Sequence, residues 1–430
     1  NVIDEVVWVV GDEAILKSDV ENERLNAQYE GRKFDGDPYC IIPEQLAIQK
    51  LFLHQAAIDS IEVSEQEIIS DVERRTNWLI DQIGSKEKVE EYYNKTSTQI
   101  REMLRENIRD GKTVQKMQQQ IVGDIKITPA EVRRYFKDLP QDSIPFIPTQ
   151  VEVQIITMEP KIPQEEIERV KKTLRDYTER VTSGEIAFST LARLYSEDEG
   201  SRRRGGELGF MGRAELVPEY ANVAFNLQDP NKVSKIVESE FGFHIIQLIE
   251  KRGDRINTRH ILLKPKVDEK DLEAALLRLD SIANDIRNEK FTFDDAATYI
   301  SHDKDTRNNH GLMANPQTGT ARFEMQQLAQ VSQEAAKMVE GMNVGEISKP
   351  FTMINAKGKE ICAIVKLKTR LNGHKATITE DYQRLKGIVM EKRSEEKLDK
   401  WIRDKQKHTY VRINEKWQKC DFKYPGWVKK

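Results

Sequence analysis

The feature that most constrains the fold of this chain is an internal duplication with a period longer than one hundred residues. Phe188, Ser196, Asp198 and Gly206 recur as Phe293, Ser301, Asp303 and Gly311, at one offset of 105 residues. The strands that open the two copies also match, at an offset of 106 residues that pairs Gln154 with His260. This period indicates one whole domain used twice, because solenoid units span only roughly 20–50 residues. The two copies have diverged, so their functions can differ.

Length and composition exclude several classes of protein. A chain of 430 residues is too long for one core and fits about three or four domains. A formal net charge of −4, with 33% charged residues, does not favour nucleic-acid binding, which needs a basic face. We find no apolar run near the roughly 18–20 residues of a membrane span, so the chain is not expected to be membrane-embedded.

Nucleotide, metal and cofactor sites are not predicted either. Residues 111–113 read Gly-Lys-Thr, like the end of a P-loop, but residue 106 is glutamate instead of the required glycine. We therefore expect no ATP use. The three cysteines have no metal-ligand spacing, and we predict neither a metal nor another cofactor.

The pattern along the chain predicts an α+β multidomain protein. A mostly helical segment comes first, a proline-rich connector follows, and each copy reads as strands alternating with amphipathic helices. A helix and a short strand close the chain. The predicted segments are 1–138, the connector 139–150, the copies 151–252 and 255–369, and the tail 376–430.

The tail is too short to form a core of its own, so we expect it to pack on the first segment and complete a helical N-lobe. The cysteines leave two alternatives. Cys40, Cys362 and Cys420 are three unpaired thiols, or Cys40 and Cys420 form a bridge between the chain ends in an oxidising compartment.

The first copy resembles the parvulin family of peptidyl-prolyl isomerases. The resemblance rests on the glycine-rich stretch 205–220, the closing strand 241–246 and the preceding residues 195–198. The second copy is similar to parvulins at residues 259–265 and 344–350, while the sequence between them departs from the pattern. The resemblance implies two parvulin-like α+β domains, the second of them degenerate.

The order of helical segment, two parvulin-like copies and helical tail resembles the SurA family of periplasmic chaperones. This resemblance implies a Gram-negative periplasmic protein, mature after signal-peptide removal. A start at Asn1 fits either a processed precursor or a trimmed sequence. The implied partners are unfolded outer-membrane proteins and proline-containing peptides.

The parvulin resemblance also assigns candidate site residues in the first copy. Rotation about a prolyl peptide bond meets a barrier of roughly 18–20 kcal/mol, and an apolar cup with a few placed polar groups can lower it. The polar floor maps onto Asp198 and His244, with Gln154 at the position of the family's first histidine. The apolar cup maps onto Leu208, Phe210, Leu216 and Tyr220.

In the second copy the resemblance predicts a vestigial site. His260, Asp303 and Met313 fall at site positions, but Ala363 lies nearest the position of the second histidine. We expect weak activity in the first copy and less in the second. The leading hypothesis is an ATP-independent holdase, with two alternatives: a foldase that acts mainly as an isomerase, and a non-catalytic assembly platform.

Overall fold

The structure is a computed structural model that describes residues 4–428. Its helices are α1 (Lys17–Tyr29), α2 (Pro38–Ile58), α3 (Glu65–Ile83), α4 (Lys86–Tyr93), α5 (Ser97–Val122), α6 (Pro129–Asp138), α7 (Gln164–Thr182), α8 (Phe188–Tyr195), α9 (Pro218–Ala224), α10 (Glu269–Arg287), α11 (Phe293–Tyr299), α12 (Met325–Val331), α13 (Gln333–Glu340) and α14 (Tyr382–His408). Its strands are β1 (Val6–Val10), β2 (Glu13–Leu16), β3 (Phe146–Ile147), β4 (Gln150–Met158), β5 (Glu207–Gly212), β6 (Val237–Ser239), β7 (Gly242–Arg252), β8 (Arg255–Leu263), β9 (Phe323–Glu324), β10 (Phe351–Ile354), β11 (Glu360–Leu371), β12 (His374–Lys375) and β13 (Val411–Ile413). Among residues 4–428, no helix is both long and apolar enough to cross a membrane.

The chain divides into two compact units. Unit 1 comprises Asn1–Val72, Thr96–Ile144 and Ala376–Lys430, and unit 2 comprises Glu73–Lys95 and Pro145–Lys375. The predicted segment 1–138 is therefore divided between the units, because residues 73–95 make their contacts with the parvulin-like part of the chain.

Unit 1 is a helical lobe that includes the C-terminal tail. Strand β13 pairs with β1, which also pairs with β2 across the turn at Gly11 and Asp12. Helix α14 packs on α2, α5 and α6. The shared core includes Trp8 and Phe52 from the first segment and Trp427 from the tail.

Two local features fix the tail to α2. Glu44 is only 6% exposed, and its carboxylate accepts hydrogen bonds from the Lys423 and Tyr424 amides and from Trp427 Nε1 at 2.8–2.9 Å. Cys40 and Cys420 form a disulfide across 380 residues of sequence. Of the two cysteine alternatives, the structure therefore has the bridge, and Cys362 is a buried free thiol.

Unit 2 contains two four-stranded antiparallel sheets that have exchanged a strand. The sheet of the first domain has the order β5-β8-β7-β6, with α7 and α8 on one face and α9 on the other. The second domain has the order β10-β11-β4-β9, with α10 and α11 on one face and α12 and α13 on the other. Strand β4, predicted to open the first copy, lies in the second domain, and β8, predicted to open the second copy, lies in the first. The predicted boundaries 151–252 and 255–369 therefore do not coincide with the two sheets.

The connection between β7 and β8 accounts for the exchange. Only Gly253 and Asp254 separate the two strands, and Gly253 has a positive φ of 56°. A two-residue connection joins neighbouring antiparallel strands, since it is too short to carry the chain to another sheet. Strand β8 consequently pairs with β7 along Phe243–Arg252, and the equivalent place beside β11 is left to β4.

Candidate functional site

Three polar side chains from three elements meet on the α9 face of the first domain. Asp198 follows α8, His244 lies on β7 and His260 lies on β8. His260 Nε2 is 2.7 Å from Asp198 Oδ2, and His260 Nδ1 is 3.0 Å from His244 Nδ1. Ser239 Oγ is 2.6 Å from His244 Nε2 and extends the chain of hydrogen bonds to four residues.

Strand register places the two histidines together. His244 faces Leu262 and His260 faces Ile246, so the two rings are diagonal neighbours on one face of an antiparallel pair. The rings stack, with centroids 5.2 Å apart and planes 18° apart.

Asp198 is brought to the histidines by the segment after α8. Ser196 Oγ accepts hydrogen bonds from the amides of Leu262 at 3.2 Å and Asp198 at 3.3 Å, which attaches this segment to β8. The hydroxyl of Ser201 donates to Asp198 Oδ2 and lies 3.2 Å from His260 Nε2. The carboxylate is therefore held from two sides.

The surroundings of Asp198 and His244 shift the pKa values of both groups downwards. Burial alone would raise the pKa of Asp198, but the hydrogen bond and charge of His260 and the Ser201 hydroxyl outweigh it and hold that pKa well below its usual range. Burial, and then the neighbouring His260, lower the pKa of His244 to about 3. The ionised carboxylate can only accept, so His260 donates to it from Nε2. Near neutral pH His244 is thus uncharged.

An apolar cup lies against the histidines. The Tyr220 ring meets both imidazoles edge-on at centroid distances of 5.5–5.6 Å, and its hydroxyl is 2.8 Å from Thr258 Oγ1. Leu208 and Leu216 pack in the same cluster as Tyr220. Phe210 lies on β5 with Leu208, and its ring is covered by the Arg252 guanidinium at 4.5 Å. The four predicted cup residues thus lie on β5, on α9 and between them.

Comparison with known proteins identifies the family that the two copies resemble. Residues 155–250 and 260–369 match the Rotamase family, the PPIC-type PPIASE domain. The chain is 24% identical to Chaperone SurA of Aliivibrio fischeri over 96% of its own length and 92% of that protein. It is 25% identical to Chaperone SurA of Salmonella typhimurium over 72% of its own length and 74% of the relative. The chain is SurA-like, with two parvulin-type domains.

A solved structure of SurA-like chaperones from Campylobacter jejuni also aligns with this SurA-like chain. The alignment covers 95% of this chain and 99% of that one, at 9% identity and a TM-score of 0.31.

The exchange of strands changes the composition of the predicted first site. Gln154 does not lie near Asp198 or His244, because β4 belongs to the second parvulin-type domain. Gln154 Nε2 donates to Asp294 Oδ1 at 2.7 Å and to the His310 carbonyl at 2.8 Å, on the face covered by α11. His260, predicted to belong with Asp303, instead completes the first site beside Asp198.

Two equivalent backbone hydrogen bonds show that the opening strands are offset by 105 residues, so the predicted offset of 106 was wrong. The His260 amide donates to the Gly206 carbonyl, and the Ile155 amide donates to the Gly311 carbonyl. His260 and Ile155 are 105 residues apart, and so are Gly311 and Gly206. The counterpart of His260 is therefore Ile155. A slip of one residue moves a side chain to the opposite face of a sheet.

The second parvulin-type domain consequently has neither histidine. Ile155 takes the place of His260, and Ala363, which faces Thr157 as His244 faces Leu262, takes the other place, as predicted. Asp303 remains and accepts a hydrogen bond from Thr306 Oγ1 at 2.5 Å, and Met313 packs in the cluster with Ile155 and Ala363. This site retains its carboxylate above an otherwise apolar floor.

Sequence reasoning missed three contributors to the first site: the role of His260 there, and the hydroxyls of Ser201 and Ser239. The turn at Gly253 and Asp254 was the available signal for His260, since two residues between strands predict a hairpin. We identify no comparable sequence signal for the two serines.

Proposed function

We propose that the first parvulin-type domain is a prolyl isomerase whose polar floor is Asp198, His260 and His244. The observation that carries this proposal is the continuous chain of hydrogen bonds from Ser239 to Asp198 beneath the Tyr220 ring. Both histidines and the carboxylate are present, although they come from two sequence repeats.

In the proposed mechanism nothing covalent happens. The cup of Leu208, Phe210, Leu216 and Tyr220 holds the proline ring and excludes water. Rotation about the prolyl bond localises the lone pair on nitrogen and removes amide resonance, which is the source of the barrier. The imidazole pair is already oriented by Asp198 and Ser239, so it can stabilise the twisted amide without reorganising during the reaction.

We propose that the second parvulin-type domain binds peptides without isomerising them. Ile155 and Ala363 offer no polar hydrogen to a twisted amide, and Asp303 is already engaged by Thr306. An apolar floor still favours contact with apolar side chains.

For the whole chain we propose an ATP-independent holdase in the periplasm, with unfolded outer-membrane proteins as clients. Two observations support it: a relative named Chaperone SurA matches 96% of the chain, and the Cys40–Cys420 disulfide suits an oxidising compartment. Client barrel strands alternate apolar and polar residues and are prone to aggregate before they pair. Several weak sites on one chain would hold such a client and still release it.

Two assays on the same preparation test these functions separately. Exchange between cis and trans forms of a proline tetrapeptide, followed by NMR, should accelerate with the full chain, and absence of acceleration would refute the isomerase proposal. Suppression of light scattering by an unfolded outer-membrane protein should occur without ATP and should persist in Asp198→Asn. Loss of protection in that variant would favour the foldase alternative, and no protection by the wild type would refute the holdase.

A further inference from the structure

The cup of the proposed isomerase is held partly by residues outside the parvulin sequence repeats. Strand β5, which carries Leu208 and Phe210, lies at the edge of its sheet and pairs with β8. Its pairing is irregular between Glu207 and Phe210, and Gly209 between them has a positive φ of 84°. This bulge displaces the backbone beside the cup from the β8 ladder.

One face of α3 contacts β5 at this bulge. Glu73 Oε2 accepts a hydrogen bond from the Phe210 amide at 3.1 Å, and Asn77 Nδ2 donates to the Leu208 carbonyl at 3.1 Å. Asp81, one turn further along, forms an ion pair at 2.6 Å with Arg204, whose side chain is 8% exposed. Residues 73, 77 and 81 are spaced by four, so they form one stripe along the helix.

Close approach at Gly209 gives independent support for a fitted contact. A Cβ at this position would lie 2.7 Å from Glu73 Oε2 and 3.2 Å from Asn77 Nδ2. Glycine therefore allows both the left-handed backbone and the approach of α3. On the other side, the Gly209 amide donates to Asn257 Oδ1 on β8 at 3.1 Å. The bulge is thus held between α3 and β8.

We infer that Glu73 and Asn77 are positioning residues for the proline cup, and that the part of α3 from residue 73 onward is a functional part of the first parvulin-type domain. This inference rests on the proposed isomerase function. Glu73 is 8% exposed, so its hydrogen bond to Phe210 is sheltered from water. Fixing the amide of Phe210 and the carbonyl of Leu208 fixes the direction in which both side chains leave the strand.

The mode of action predicts which kinetic constant changes. Loss of either hydrogen bond should loosen the wall that binds the proline ring, while the histidines keep their arrangement. A loss of uniform binding raises KM and leaves kcat unchanged. We expect Glu73→Ala to raise KM on the order of tenfold, with kcat within about twofold of wild type. Glu73→Gln retains a side-chain oxygen that can accept from Phe210 and should restore most of the affinity.

The experiment uses the full chain and a proline tetrapeptide, with KM and kcat from NMR exchange and Kd from calorimetry. Glu73→Ala, Asn77→Ala and Glu73→Gln are compared with Gln82→Ala, which removes an exposed side chain from the same helix. Thermal melting confirms that each variant is folded, and Asn77→Ala supplies the test if Glu73→Ala does not fold. The inference requires weaker binding in both alanine variants and rescue by glutamine.

The outcomes separate this inference from the proposed function. An active wild type with unchanged KM in a folded Glu73→Ala variant overturns the inference alone. A lower KM in that variant also overturns it, because the contact would then obstruct the cup. A wild type that binds the peptide without isomerising it refutes the proposed activity. The inference is then decided by whether the Kd for the peptide is higher in the alanine variants than in the wild type. No binding by the wild type overturns both.

Discussion

Replacing His260 by alanine removes a ring that lies in the second sequence repeat but in the first site. His260 is 5% exposed and lies between His244 Nδ1 and Asp198 Oδ2, at 3.0 and 2.7 Å. His260→Ala leaves a buried ring nitrogen without its partner and removes one of two side chains that hold the carboxylate. Such losses cost about 1–3 kcal/mol per buried group, so we expect the free energy of unfolding of the first domain to fall by about 2–4 kcal/mol. Isomerase activity should fall on the order of 10²-fold, as when one preorganised donor is removed from an active site.

Gln154→Ala is the matched control for this prediction. Gln154 is 2% exposed and makes two hydrogen bonds in the second domain, so its loss should also destabilise the protein, by about 1–3 kcal/mol. Isomerase activity should nevertheless stay within about twofold of wild type, since β4 contributes nothing to the first site. Urea unfolding followed by circular dichroism measures stability, and NMR exchange at a temperature where both variants are folded measures activity. Loss of activity in Gln154→Ala with retention in His260→Ala would refute the assignment of the site.

Three further predictions concern pH and the N-lobe. The pKa of His244 is about 3 in the folded domain, far below its usual 6.5, so between these pH values the unfolded chain binds a proton that the folded domain does not bind. The free energy of unfolding of the first domain should therefore fall as pH drops from 6.5 towards 3, by up to roughly 1.4 kcal/mol per pH unit. Denaturant titrations that show constant stability down to about pH 4 would contradict this prediction. Asp198 acts in the same direction but at lower pH, because stability from its depressed pKa is lost only below the unfolded value of 3.8. Cys40→Ser should lower the stability of unit 1 by about 2–4 kcal/mol without changing isomerase activity, whereas an unchanged urea midpoint would show that the bridge is dispensable. Glu44→Ala should release the tail at a cost of about 2–4 kcal/mol, seen as faster amide hydrogen exchange at residues 423–427, and unchanged protection there would show that Glu44 does not hold it.

Local features of the fold were predictable from sequence because they depend on neighbouring residues. The hairpin at Gly11 and Asp12 depends on turn residues that are adjacent in sequence. Helix α6 begins after Thr128, which forms reciprocal capping hydrogen bonds with Glu131. Packing of the tail on the N-lobe followed from its lack of a core, and the place of Ala363 in the second site followed from the sequence repeat.

The partner of each duplicated strand was not predictable from similarity alone. Strands β4 and β8 descend from equivalent repeat positions, and both carry apolar residues on the faces that either sheet would bury. Sequence similarity therefore predicts that the opening strand of each copy pairs with the other strands of the same copy. The length of the connection at Gly253 and Asp254 decides otherwise, because two residues allow only a hairpin. Gln154 was misplaced by the added error of one residue in register.

The contribution of α3 to the first domain was also beyond sequence reasoning. Glu73, Asn77 and Asp81 read as an ordinary polar stripe on a helix, and their partners Phe210, Leu208 and Arg204 lie more than one hundred residues away. Only the fold brings these groups together.

Strand exchange within unit 2 is the central claim, and paired cysteines test it most directly. Val153 on β4 faces Leu367 on β11 in the exchanged arrangement. If each copy kept its own strand, Val153 would take the place of Thr258 and face Leu248 on β7. Directly opposed residues in antiparallel strands lie about 4.5–5.5 Å apart between Cα atoms, within reach of a disulfide.

The measurement is oxidative cross-linking of Val153→Cys/Leu367→Cys and Val153→Cys/Leu248→Cys in the full chain, with the bridged peptides identified by mass spectrometry after digestion. The exchanged fold predicts a bridge from residue 153 to 367 and none from 153 to 248. The reverse result would return β4 to the first domain and His260 to the second, and would contradict the account of the site.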